Sequence, residues 1–180
     1  MAADTITDLN DPAFGRLFTD IHSSWFRLET LQHYDVEYER EDLARFLRGE
    51  ALDTTPGPWQ ATLRQHVAAG RRLARVHVLE EPLSDYVRYE LQAYVPNVDA
   101  GEDVRVVAVR SGEWPENVPR HDFWLFDDDR LWLMDYDAHG HFRATRRIHD
   151  PAALDQHRRG RDAALAQSIP LADYVAHQPV

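Results

Sequence analysis

Between Glu80 and Arg105 the chain reads EEPLSDYVRYELQAYVPNVDAGEDVR. From Tyr86 to Val95 the residues alternate, with Val87, Tyr89, Leu91, Ala93 and Val95 on one side and Tyr86, Arg88, Glu90, Gln92 and Tyr94 on the other. Alternation of this kind predicts a half-buried strand. Pro82, Ser84 and Asp85 before it, and Pro96, Asn97 and Gly101 after it, are punctuation that isolates such a strand and turns the chain back beside it. The spacing predicts a central strand whose second face joins two tyrosines to an Arg and a Glu, a combination that suits a shallow pocket.

The rest of the chain arranges itself around that expectation. Phe14, Leu17, Phe18, Ile21, Trp25 and Leu28 recur at helical spacing after Asp11 and Pro12, which predicts a helix with one apolar face. Further helices are predicted over Glu39 to Arg48, ended by Gly49, and over Trp59 to Ala69, ended by Gly70. Strands follow at Arg72 to Leu79, at the organising stretch, at Asp103 to Val109, and then at Asp122 to Asp127, Leu131 to Tyr136 and His141 to Ile148. Asp150 and Pro151 open a last helix extending to about Ala166, and IPLADYV is apolar enough to dock on the domain. The expected fold is α+β: an antiparallel meander sheet of about five to six strands, with helices from the N-terminal third and the C-terminus packed on it. One globular domain is expected over residues 11–175, with a flexible N-terminus over residues 1–10.

Composition removes several chemistries. The chain has 180 residues, no cysteine, and a formal net charge of -11. Disulfides, thiolate nucleophiles and iron–sulfur clusters are excluded. All 20 basic residues are Arg, so a Schiff-base lysine and a Walker-type phosphate loop are excluded too. The net charge opposes general binding to nucleic acid or anionic membranes. No apolar run reaches the roughly 20 residues of a membrane span, and MAADTITDLNDP lacks the plan of a signal peptide, so a soluble cytoplasmic protein is expected.

No nucleophile-elbow, dinucleotide or zinc-protease motif is present. His139 and His141 have the spacing of strand-borne metal ligands, but Gly140 between them marks a turn, and no metal or other cofactor is expected. Asp127, Asp128 and Asp129 read as a turn between strands. Arg64, Arg71, Arg72 and Arg75, with Arg143, Arg146, Arg147, Arg158, Arg159 and Arg161, read as a solvated Arg-rich edge.

The blocks FRLETLQHYDVEYEREDLARFLRGE, EEPLSDYVRYEL, NVDAGEDVRVV, HDFWLFDDDRLWLMDYDAHGHF and IPLADYV, in this order, resemble an actinobacterial (Streptomyces-type) domain-of-unknown-function family often encoded beside helix-turn-helix regulators. The resemblance covers about Phe14 to Tyr174 and implies a context rather than a reaction: a partner, ligand sensor or effector of such a regulator. The candidate binding residues are Trp25, Arg27, Glu29, Tyr34, Arg88, Glu90, His121, Asp122, Trp124 and Asp127. They suit a pocket, and equally a buried ion-pair network that fixes the fold. The reading drawn from this is a non-enzymatic regulatory or binding module that works with a helix-turn-helix transcriptional regulator and senses a small ligand. The rival is a toxin-like effector, a nuclease or nucleotide-acting transferase, using His121, Arg88 and Glu90.

Overall fold

The computed structural model describes residues 4–177. Eight strands form a single sheet: β1 (Thr5–Ile6), β2 (Ser24–Glu29), β3 (Arg72–Glu81), β4 (Asp103–Arg110), β5 (Phe123–Phe126), β6 (Arg130–Tyr136), β7 (Phe142–Ile148) and β8 (Ile169–Pro170). Seven α-helices are interspersed: α1 (Pro12–Thr19), α2 (Arg40–Leu47), α3 (Pro58–Ala68), α4 (Asp85–Ala93), α5 (Val95–Asp99), α6 (Pro151–Gln167) and α7 (Leu171–Ala176). The strand order is β1-β7-β6-β5-β2-β3-β4-β8. β2, β3 and β4 run parallel, and the remaining pairs are antiparallel.

The expected antiparallel meander is therefore overturned: the sheet is mixed and larger, and helices occur throughout the chain. Two local misreadings account for this. The stretch Tyr86 to Val95 is mostly helix α4, not a strand. Its N-cap is Ser84, whose hydroxyl accepts from the Val87 N–H, and it buries Tyr86, Val87, Tyr89, Glu90 and Leu91. Those positions lie one, three and four residues apart, so they close one helical face as readily as they alternate. The N-terminal helix stops at Thr19, and Trp25 and Leu28 belong to β2 instead. β2 is central and buried on both sides, so its continuous run of large residues carries no clean alternation to mark it as a strand.

Parallel strands need long crossovers. The segment with α2 and α3 links β2 to β3, and α4 with α5 links β3 to β4. In the register of these strands, Trp25, Arg27 and Glu29 stand beside Leu73, Arg75 and His77. That face packs against Leu17 and Phe18 of α1, Leu63 of α3, and, farther along, Val87, Leu91, Leu171 and Tyr174. The opposite face, with Phe26, Leu28, Val76, Val78, Phe123 and Leu125, packs against Ala164 and its neighbours on α6.

The other expected elements match observed ones closely, including Asp150 capping α6 with Pro151 in its first turn. Of the expected flexible N-terminus, residues 1–3 lie outside the described residues, whereas Thr5 and Ile6 pair with β7 as an edge strand.

One tight approach sets the edge of the cavity described below. Gly140, at the β6–β7 turn, has φ +82°, and a Cβ there would meet the His33 carbonyl oxygen at 2.5 Å. Its own carbonyl accepts from the Asp35 N–H at 3.1 Å. Gly140→Ala is expected to cost roughly 1–3 kcal/mol from the left-handed conformation alone. The backbone clash adds to this, so a chemical denaturation curve shifted by less than about 1 kcal/mol would contradict the close approach.

Candidate functional site

The centre of the site is a row of charge on an otherwise apolar sheet face. Arg27 and Arg75 are register partners on β2 and β3, as are Glu29 and His77. All four are buried. Burying charge in this way is tolerated only with partners and hydrogen bonds on every side, and the surrounding elements supply them.

Arg75 donates to Glu29 Oε1 at 2.7 Å and to Glu102 Oε1 at 3.3 Å, and Asn97 of α5 donates to Glu102 Oε2 at 3.0 Å. Arg27 donates through Nη2 to Asp122 Oδ2 at 2.6 Å and to the Tyr136 hydroxyl at 3.1 Å. Asp122, just ahead of β5, also accepts from the Thr30 N–H and hydroxyl and from the Tyr34 hydroxyl, at 2.8, 2.6 and 2.7 Å. Both guanidinium groups lie over Trp124, at 5.3 and 5.7 Å from its ring centroid. This is the favourable side of an aromatic ring for a cation.

The second row is built around His77. Its Nε2–H donates to the Leu31 carbonyl at 2.7 Å, while Nδ1 faces Glu90 Oε2 at 3.0 Å and the Tyr94 hydroxyl at 3.2 Å. Tyr94 in turn donates to Glu29 Oε2 at 2.5 Å.

Burial opposes the charge on Glu29, but Arg75 and then Arg27 outweigh it and hold the carboxyl down at about 2. Burial also opposes protonation of His77, yet the Glu90 carboxylate lifts it to about 9, so the imidazole is charged at neutral pH. Burial pushes the Tyr34 and Tyr94 hydroxyls well above the ordinary phenol range, reinforced by Asp122 and Glu29 respectively, which keeps both as donors.

Over this row lies a cavity of about 560 Å³. Arg27, Glu29, Arg75 and Glu90 contribute to its floor, Tyr34, Tyr86, Tyr94, Trp59, Trp124 and Tyr136 to its walls, and Tyr38, Glu39, Asp42 and Leu52 to Thr55 to its rim. The rim belongs to the β2–β3 crossover. Arg27 Nη1 is buried yet makes no hydrogen bond among the described residues, and Glu90 Oε2, equally buried, has only the His77 ring beside it, 3.0 Å away. Both are short of partners in a lining otherwise thoroughly paired.

Glu29, His77 and Glu90 have donor atoms within 4.8 Å of one another, the one group among the described residues with the composition and closeness of a metal site. Their donors are largely committed, Glu29 to Arg75 and Tyr94 and His77 to Leu31. Two guanidinium groups beside Glu29 further oppose a divalent charge. The set fits an ion-pair network better than a metal centre.

Of the residues singled out in the sequence, Arg27, Glu29, Tyr34, Glu90, Asp122 and Trp124 come together here. The others do not. Trp25 is core, stacked on Trp59 at 5.5 Å. Arg88 is exposed on the outer side of α4, near Asp85. His121 is beside His157 of α6, Nε2 to Nε2 at 2.7 Å. With the His157 Nδ1–H donating to the Ala153 carbonyl, His121 is the donor of that contact. Burial and then His157 depress its pKa, so it stays neutral. His121, Arg88 and Glu90, the proposed effector set, thus lie in three separate environments.

Asp127 has an architectural task. Its carboxylate accepts from the backbone N–H groups of His22 and Ser23 at 2.8 and 2.7 Å and from Arg130 at 2.6 Å, closing the entry to β2. Burial acts against its charge, but these bonds hold it well below the usual carboxylate range. A depressed folded pKa gives stability that is present above the unfolded value and lost as pH falls through the folded one. Asp127→Asn is therefore expected to flatten the acid limb of stability below about pH 4 while lowering stability at pH 7. Urea titrations of both proteins from pH 2 to 7 test this, and parallel acid limbs would refute it.

Arg75, His77, Glu102 and Glu39 escape the sequence reading, whereas the alternation places Tyr86 and Tyr94 on a pocket-suited face that proves to belong to helix α4 and its C-cap. Arg75 and His77 alternate with Val76 and Val78, which marks one strand face as polar, but neither periodicity nor composition says that this face is covered. The sequence groups Arg75 with surface arginines; it is buried, whereas Arg64, Arg71 and Arg72 lie nearer the surface.

Among the described residues no helix is long and apolar enough to cross a membrane. No curated protein sequence matches the chain. In fold it is similar to the crystal structure of phosphatidylserine synthase from Haemophilus influenzae Rd KW20, with a TM-score of 0.51 and 11% identity, covering 97% of this chain and 40% of that one. The chain thus spans less than half the length of that protein, and the likeness is one of fold alone. A family model matches residues 12–176, nearly the whole chain, and the protein belongs to that family, the domain of unknown function DUF6879.

Proposed function

We propose that the chain is a regulatory ligand-binding module, in which a small polar molecule enters the cavity beneath the β2–β3 crossover and alters the surface that the crossover presents to a partner. The observation that carries this reading is the lining of the cavity: a buried, ion-paired floor in which Arg27 Nη1 makes no hydrogen bond and Glu90 Oε2 has only the His77 ring beside it. Pockets of this kind, mainly aromatic with a few placed polar groups, suit small-molecule recognition. A ligand that favours one position of the crossover shifts the population of that position.

The partner in this proposal is a helix-turn-helix regulator, supported by the resemblance in sequence alone. The effector reading receives no support from the separated positions of His121, Arg88 and Glu90.

The test is a thermal-shift and calorimetric screen of the full chain against cationic, anionic and neutral metabolites, followed by co-elution with helix-turn-helix regulators with and without any hit. The expected result is saturable stabilisation by one class, lost when the cavity is blocked by Ala93→Trp. Absence of binding by every class would overturn the ligand, and ligand-independent co-elution would reduce the proposal to a plain interaction module.

A further inference from the structure

Resting on that reading, we infer that the ligand is a small organic cation, an ammonium group held by Glu90 and Glu39 among the tyrosines at the mouth of the cavity. The first ground is the balance of buried charge. Arg27, Arg75 and His77 face four buried carboxylates, Glu29, Glu90, Glu102 and Asp122. Each of the two arginines is already shared between carboxylates, Arg27 between Asp122 and Glu29 and Arg75 between Glu29 and Glu102. Only His77 answers Glu90.

Glu39, half-buried on the rim, adds a fifth acidic group that forms no ion pair among the described residues, its described contact being the Tyr86 hydroxyl at 2.8 Å. Burial, with repulsion from Glu90 next, raises the Glu39 carboxyl to about 7. A raised carboxyl beside a second carboxylate is the mark of a place short of positive charge.

The second ground is Glu90 itself. It is 8% exposed, it lines the cavity, and its one described partner is the His77 ring, 3.0 Å from Oε2. A ligand N–H directed at this carboxylate adds a charge-assisted bond to an acceptor that has a single cation beside it.

The third is the wall. Tyr34, Tyr86 and Tyr89 form a connected group with ring centroids 5.9 Å apart at each step, and Tyr38, 79% exposed, stands free at the rim. Faces of electron-rich rings around a site lined with carboxylates attract ammonium groups and disfavour anions. A metal ion is less well served: the ring faces offer it no ligand, and Glu29 and His77, two of the three groups that could hold it, are engaged within the protein.

The experiment titrates the full chain calorimetrically with choline, butylammonium and spermidine chlorides. Sodium chloride of equal ionic strength, zinc chloride and sodium phosphate serve as comparisons. The expected result is saturable binding of at least one ammonium probe, weakened about tenfold or more by Glu90→Gln, in line with a lost hydrogen bond to a charged group. Tyr38→Ala and Glu39→Gln, at the rim, are expected to weaken it severalfold with an unchanged circular dichroism spectrum, and they carry the test if Glu90→Gln does not fold.

Failure of every ammonium probe to bind, or binding indifferent to these substitutions, overturns the inference. Binding of phosphate or zinc in place of ammonium overturns it while leaving a ligand-binding module standing. Silence of the whole metabolite screen removes both proposals.

Discussion

Asp122→Ala is expected to be among the most damaging single substitutions in the protein. The carboxylate receives four hydrogen bonds, from Arg27, Tyr34 and both the amide and hydroxyl of Thr30, and all three residues are buried. Removing one partner of a buried ion pair leaves the other uncompensated, at a cost of roughly 3–5 kcal/mol. For a chain of this size that corresponds to a fall in melting temperature of about 6–20 °C. Asp122→Asn keeps one acceptor oxygen but turns an N–H₂ group toward donors, so it is expected to lie between wild type and Ala. Calorimetry on the three proteins settles the point. A melting temperature for Asp122→Ala within about 2 °C of wild type would mean that the network contributes little beyond its apolar neighbours.

Arg75→Met is the second large effect, and its dependence on pH distinguishes it from simple loss of packing. The side chain of Met fills much of the space, but Glu29 and Glu102 lose the cation that lies between them. A loss of roughly 3–5 kcal/mol at pH 7 is expected. With Arg75 gone, burial, the largest influence on Glu29, is expected to outweigh what Arg27, His77 and Tyr94 still contribute and to lift its folded pKa above the unfolded value. A carboxyl whose folded pKa is raised destabilises the fold at high pH, and that penalty is relieved as pH falls and the group takes up a proton. The gap in stability between wild type and Arg75→Met is therefore expected to narrow from pH 7 to about pH 5. A gap constant over that range would assign the loss to packing alone.

The sequence exposes some of this arrangement and conceals the rest for identifiable reasons. Turn residues, Asp150 with Pro151, and the short strands from Phe123 onward are local signals, and they appear where such signals place them. The central parallel strands are different. β2 is buried on both sides, so its apolar run continued the helical spacing of α1, and only the break at Asp20 separates the two.

The stretch Tyr86 to Val95 satisfies both periods. Ser84 decides for the helix by capping it, a choice that the alternation of Val87, Tyr89 and Leu91 masks. The pocket residues divide the same way. Arg27, Glu29, Tyr34, Asp122 and Trp124 attract notice as polar groups among aromatics, but the Arg27–Asp122 pair bridges 95 positions and arises only through the β2–β5 pairing. Arg75 and His77 lie beside them because β3 runs parallel to β2, and a meander has no place for that neighbour relation.

The crossover above the cavity has a consequence for motion. Helix α2 contributes no buried residue, and its ion pairs, Arg40 with Asp35 and Arg45 and Arg48 with Glu50, involve largely exposed side chains. Exposed pairs contribute little to stability. The strands beneath it, β2 and β3, are buried along most of their length. Amide hydrogen exchange should therefore divide the chain into two populations: residues 37–57 exchanging through low-energy local opening, and the amides of β2 and β3 exchanging only through global unfolding. The fastest and slowest clocks in the protein would then sit on opposite walls of one cavity, so an occupant could quiet the first while leaving the second unchanged.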